Sequence, residues 1–143
     1  ASKNDGTDQN ISDVARQLVL SQKKAAMVIM ISGFWGENNK AALGQINFKH
    51  DFIPIRIADP MELHLPDAGR VILKDPETGK SMFLNLSRQD VRETHANAVH
   101  LHREKWTQDF RRLGIDFLDL QTTDNFMPPL RALFARRSRK FSR

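Results

Sequence analysis

Ala25-Ala26-Met27-Val28-Ile29-Met30-Ile31-Ser32 is an unbroken apolar run ending beside Gly33, and its reading decides the fold. A strand with one wet face alternates apolar and polar residues, and this run does not. It therefore predicts a strand covered on both faces, the usual state inside a parallel sheet. Ala25–Ile31 is also the longest apolar stretch in the chain. It falls far short of the roughly 20 residues that cross a bilayer.

Upstream of the run, residues 1–9 are polar and read as a lead-in loop. Ile11, Val14, Ala15, Leu18 and Val19 then fall on one helical face. Asp8 or Asn10 is placed to cap that helix, and Lys23 and Lys24 close it where cations favour the helix dipole. Downstream, Ala41, Ala42, Leu43 and Ile46 predict a short second helix. Phe52–Ile57 predicts a second strand. Pro54 lacks a backbone donor, which argues for an edge position or an irregular start.

Ala58–Ala68 reads as a loop. Arg70–Lys74 and Ser81–Asn85 read as a hairpin joined by Asp75-Pro76-Glu77-Thr78-Gly79. Proline presets one turn position and glycine accepts a positive φ at the close. The longest helix runs from about Arg88 to Leu113, with Val91, His95, Ala98, Val99, His102, Trp106, Phe110 and Leu113 on one stripe. Gly114 stops it. Ile115–Leu120 predicts a third strand. Asp124 is then placed to cap a last helix bearing Phe126, Leu130, Leu133 and Phe134, with Pro128 and Pro129 in its first turn. Helices alternating with strands predict an α/β fold: a mostly parallel sheet, helices on both faces, and a β-hairpin insertion.

The chain has 143 residues, 40% of them hydrophobic and 27% charged, which suits a single packed domain. Residues 1–137 read as that domain and residues 138–143 as a basic tail. There is no cysteine, so disulfides, thiolate metal sites and a cysteine nucleophile are excluded, in keeping with a reducing compartment. The N-terminus lacks a basic-then-apolar signal pattern. The net charge of +5 is terminal. Arg136, Arg137, Arg139, Lys140 and Arg143 account for it, and subtracting those five from 22 leaves 17 basic residues against 17 acids. A nucleic-acid-binding domain carries its charge on a folded face, so the plain reading of this tail is a solvated, frayed end.

Asp59-Pro60 and Asp75-Pro76 mark a small soluble interaction module rather than an enzyme. Asp59, Glu62, Asp75 and Glu77 are the densest acids near turns. They fit a metal or acid/base pair, a recognition surface at strand ends, or turn chemistry, since aspartate before proline starts turns. His95 and His102 lie two turns apart and His100 faces away, whereas zinc sites on one helix use spacings of about three or four residues. Hydrogen-bonded core histidines fit that spacing better. No Gly-x-Ser-x-Gly elbow is present, and Gly33-Phe34-Trp35-Gly36 has neither the lysine nor the length of a phosphate loop. Trp35 is either an exposed partner anchor or a lid on the core.

Several segments together carry a resemblance. They are Gly6-Thr7-Asp8, Ile31-Ser32-Gly33-Phe34, His50-Asp51, Arg56-Ile57-Ala58-Asp59-Pro60-Met61-Glu62 with Leu65-Pro66, Asp75-Pro76-Glu77-Thr78-Gly79, and Leu133-Phe134-Ala135-Arg136-Arg137. Over about residues 5–137 the chain resembles the bacterial "domain of unknown function fifty-eight" family. Those proteins are similar to von Willebrand factor A domains and are typically encoded beside MoxR-type AAA+ ATPases. The resemblance is to the C-terminal half of such a domain. It implies an adhesion-type metal site built from an Asp-x-Ser-x-Ser strand, a threonine loop and a later aspartate. Here the first motif is absent, Thr7 matches the threonine, and Gly33 stands where the aspartate is expected. A lone hydroxyl does not hold Mg²⁺, so the metal site is expected to be incomplete.

The resulting expectation is a non-catalytic adaptor without a cofactor, acting in the cytoplasm with a MoxR-type AAA+ ATPase and binding no nucleic acid. Trp35, Asp59, Pro60, Glu62, Asp75, Pro76, Glu77 and Gly79 are its candidate interaction residues. The alternatives are nucleic-acid binding through the basic tail and a metal-dependent hydrolase using Asp59 and Asp75. Strand 26–32 is expected mid-sheet in a whole domain. Left bare here, it predicts a homodimer or strand exchange covering Val28–Ile31.

Overall fold

A computed structural model describes residues 11–36, 39–74 and 79–141. Thr7, Asp75, Pro76 and Glu77 lie outside the described residues. The elements run α1 (Ile11–Ser21), β1 (Met27–Ser32), α2 (Lys40–Lys49), β2 (Asp51–Ala58), α3 (Pro60–Leu63), β3 (Arg70–Lys74), β4 (Ser81–Asn85), α4 (Gln89–Arg112), β5 (Leu118–Gln121) and α5 (Met127–Phe141). β1, β2 and β5 form a parallel sheet in the order β1-β2-β5. β3 and β4 form a separate antiparallel hairpin, with Ile72 opposite Phe83. Helices cover both faces of the parallel sheet. The α/β reading and the hairpin therefore hold.

The two faces are covered unequally. Val28, Met30 and Phe52 turn to a core shared with Ala15 and Leu18 of α1, Leu43 and Ile46 of α2, and Trp106 and Phe110 of α4. The aromatic rings there meet edge-on or tilted, with Phe34 5.0 Å from Trp106 and Phe110 5.1 Å from Phe117. On the opposite face, among the described residues, Ile53, Ile55, Leu118 and Leu120 pack against Leu130, Leu133 and Phe134 of α5. Met27, Ile29 and Ile31 are left 55%, 47% and 63% exposed. The apolar run is thus a strand, but covered on one face, because an unbroken run records that a face prefers cover, not which element supplies it.

Pro54 also departs from expectation. It lies in the central strand, opposite Met30, and is fully buried. Ala58 accepts from Thr122 N–H, so alternate residues of β2, Pro54 among them, turn their backbone groups toward β5. β5 begins at Leu118, opposite Ile55. The missing proline donor therefore points to where no ladder has yet started, and it costs the sheet nothing.

Three local expectations are corrected. Ala58–Ala68 is not all loop, because α3 forms inside it. Asp124 does not cap α5. Its carboxylate accepts from Gln121 N–H at 2.7 Å, while Asn125 accepts from Met127 N–H at 3.2 Å. Nor is the basic end uniformly frayed: α5 continues to Phe141, and Arg137, mostly buried, pairs with Asp51 and lies 3.7 Å from Asp116. No helix among the described residues is long and apolar enough to cross a membrane.

Candidate functional site

Parallel strands bring their carboxyl ends to one rim, the usual ligand position in open α/β sheets. Here the rim gathers Gly33–Trp35 after β1, Asp59–Glu62 after β2 and Thr122–Asp124 after β5. Gly33, Trp35, Asp59, Pro60 and Glu62 thus follow the ends of neighbouring strands on one rim, whereas Gly79, at φ +68°, lies apart from it, just before β4. Thr122 and Asp124 were not singled out as rim residues. Their place directly after the third strand was the available signal.

Asp59 is an N-cap. Its Oδ1 accepts from Met61 N–H at 2.8 Å, and Glu62 Oε2 accepts from Asp59 N–H at 3.4 Å, which completes a capping box with Pro60 in the first turn. The second Asp59 oxygen accepts from Thr122 Oγ1 at 3.4 Å and ties α3 to the end of β5. The acids of the rim are therefore used as caps and turn closures. Among the described residues, no cluster of three His, Asp or Glu is placed to hold a metal ion.

Two histidines of α4 secure two of the rim loops. His95 Nε2 donates to the Glu62 carbonyl at 2.7 Å, and His102 Nε2 donates to the Phe34 carbonyl at 2.7 Å. Their spacing of two helical turns matches the separation of the two loops. Phe34 needs this support: it is buried, with φ +54°, in the left-handed region that a bulky residue rarely adopts. Ser32 Oγ accepts from Phe34 N–H at 3.1 Å and braces the same elbow.

Trp35 completes the elbow. Its ring stacks on His102 with centroids 5.8 Å apart, yet 46% of the residue stays exposed. It is both a lid and a surface aromatic. Its indole also crowds Gly33, where a Cβ would sit 2.7 Å from Trp35 Cδ1. The position expected to carry an aspartate is therefore filled by a tryptophan from two residues on.

On the α5 side of the rim an open groove of about 390 Å³ lies between Ile31, Ile55, Ile57, Leu120, Phe126 and Leu130, with Thr122 and Asp124 at its polar end. Apolar walls with a few polar groups recognise apolar ligands and side chains. Asp59 is engaged as a cap, and Asp75, its partner in the hydrolase alternative, lies outside the described residues.

The chain is 33% identical over 102 residues to an uncharacterized protein of Mycobacterium avium, covering 71% of this chain and 60% of that protein. It is 29% identical over 119 residues to uncharacterized proteins of Mycobacterium bovis and Mycobacterium tuberculosis, covering 82% of this chain and 37% of theirs. It thus spans between 37% and 60% of the length of these relatives. No solved structure matches it. A family model described as "Protein of unknown function DUF58" matches residues 1–105, from the N-terminus into α4 and including the β1 and β2 ends of the rim. The chain belongs to this DUF58 family.

Proposed function

We propose that the chain is a non-catalytic protein–protein interaction module, an adaptor that binds its partner at the carboxyl rim of the sheet. The observation that carries this reading is the division of labour at the rim. Its acids serve as caps and turn closures, while its surface carries two apolar features: half-exposed Trp35 on one side and the largely apolar open groove on the other. Tryptophan on a braced loop is a low-entropy anchor of the kind that dominates interface energetics. The family resemblance supplies the partner, a MoxR-type AAA+ ATPase in the cytoplasm.

The test is calorimetric titration of the chain with the MoxR-type ATPase of the same organism. Trp35→Ala is expected to weaken binding by about 2 kcal/mol or more. Asp59→Asn, which keeps the cap, is expected to bind as the unaltered chain does. Undiminished binding by Trp35→Ala sinks the rim reading. A hydrolytic activity abolished by Asp59→Asn favours the enzyme alternative.

A further inference from the structure

Leu86 N–H donates to the Gly69 carbonyl at 2.6 Å, which fixes the orientation of the β3–β4 ladder. In an antiparallel pair, opposed residues that exchange hydrogen bonds alternate with opposed residues that turn theirs outward. Gly69 and Leu86 are a bonded pair one step before Arg70 and Asn85, so Val71 bonds with Leu84 and Leu73 with Met82. Arg70, Ile72 and Lys74 therefore turn their N–H and C=O groups to the outer edge of β3, while Ser81, Phe83 and Asn85 turn theirs to the outer edge of β4. Among the described residues no third strand lies on either edge. The hairpin is a sheet of its own, so what lies beside β1 does not decide what lies beside β3. Alternation also places the side chains of these six residues on one face. Its middle is apolar and open, with Ile72 60% and Phe83 78% exposed. Arg70 and Lys74 flank Ile72, both exposed and without an acidic partner among the described residues.

We propose that the outer edge of β3 takes up an extended acidic and apolar segment of a partner protein as a third, antiparallel strand. Main-chain bonds to Arg70, Ile72 and Lys74 supply the affinity of such strand addition, and side chains at alternate positions supply its specificity. The segment residue opposite Ile72 lies beside it on the same face, and the residues two positions either side lie opposite Arg70 and Lys74. The recognised pattern is thus acid-x-apolar-x-acid. Charge selects this occupant. A second copy of β3 paired antiparallel about Ile72 would set Arg70 against Lys74, and like charges directly opposed destabilise a sheet. Basic residues blunt an edge against such self-pairing but not against an acidic strand. The outer edge of β4 offers uncharged Ser81 and Asn85 in the corresponding places, so β3 is the selective side. A membrane surface fits less well, because the turn between the strands carries Asp75 and Glu77, which anionic headgroups repel. The edge belongs to the hairpin and not to the rim, so this proposal and the rim reading fail separately.

The probes are labelled peptides Thr-Glu-Thr-Xaa-Thr-Glu-Thr, with Val, Ile, Leu or Phe at the centre, titrated into the full chain and read by fluorescence anisotropy. At least one is expected to bind, and its counterpart with Lys in place of Glu is not. Arg70→Glu combined with Lys74→Glu is expected to weaken the acidic peptide about tenfold or more, two exposed ion pairs being worth up to about fivefold each. The same double variant is expected to bind the lysine peptide, a charge-swap rescue that a misfolded chain does not give. In amide exchange the bound acidic peptide is expected to slow Ile72 and leave Phe83 unchanged. Silence from all the acidic peptides overturns the proposal. So does equal binding of the acidic and lysine peptides, or protection of Phe83 in place of Ile72. Phosphatidylserine vesicles are expected not to bind. Vesicle binding that the double variant loses assigns the face to lipid and overturns the proposal as well.

Discussion

A side chain at position 33 has no room unless Trp35 moves, since its Cβ falls 2.7 Å from Cδ1 and 2.8 Å from Nε1 of the indole. Gly33→Asp therefore does not restore an adhesion-type site. It drives Trp35 off His102 and costs about 1–3 kcal/mol, the range of overpacking. Urea denaturation reads the cost, tryptophan emission reads the displaced ring, and a Mg²⁺ titration is expected to stay silent. An unchanged midpoint contradicts this account. His102→Ala removes the donor to the Phe34 carbonyl and the surface under Trp35, for about 1–3 kcal/mol. The control is His100→Ala. His100 is exposed, 3.4 Å from Glu104, and its loss should stay within about 0.5 kcal/mol. Equal effects at His100 and His102 rule out the bracing role. The sequence did reveal that His95 and His102 share a face of α4. It concealed their carbonyl partners, because those belong to loops set by β1 and β2 and not by α4. The tryptophan filling the place beside Gly33 was equally hidden, since spacing alone does not say which way a ring folds back.

Elements separate cap from catalysis at Asp59. Asparagine caps a helix about as well as aspartate, and alanine does not. Asp59→Asn is therefore expected to leave stability nearly unchanged, while Asp59→Ala costs about 0.5–2 kcal/mol by thermal denaturation. Equal losses from both substitutions are incompatible with a cap. At the start of α4 the Asp90 carboxyl is held below its ordinary value of 3.8 by the hydrogen bond from Arg88. A depressed carboxyl binds fewer protons folded than unfolded. Its small, solvent-exposed contribution is present above pH 3.8 and fades as pH falls through the folded value. An NMR titration of Asp90 in the Arg88→Ala variant is expected to return it toward 3.8, and an unmoved titration removes the assigned cause. Most elements were legible, and the hairpin strands were placed to the residue, because Asp-Pro and Gly punctuate a turn wherever it sits. α3 was missed because one turn leaves no periodicity, although its Asp-Pro-x-Glu signature also spells a capping box. Asp124 misled for a related reason: several carboxamides and carboxylates before Pro128 compete to be the cap, and only the turn geometry decides among them.

The whole molecule is a sheet with one thick side and one thin side. Among the described residues α1, α2 and α4 bury one face, and α5 covers the other. Leu133 is fully buried at the centre of that thin side, so Leu133→Ala is expected to cost about 2–5 kcal/mol and to loosen α5 first. The asymmetry ranks the strands. β2 is buried nearly throughout and paired on both sides, whereas β1, among the described residues, is paired on one. Amide exchange, which reports local opening, should follow that ranking. Ile53, Ile55 and Ile57 turn their amides to β1 and are expected to exchange slowly at every concentration. Within β1 the amides of Val28 and Met30 bond to β2 and are likewise protected. Those of Ile29 and Ile31 face the open edge and should exchange fast in dilute solution. Ile29 and Val28 exchanging alike at all concentrations contradicts the orientation of the strand itself. Protection of Ile29 and Ile31 that is already complete in dilute solution points instead to an edge covered within one chain.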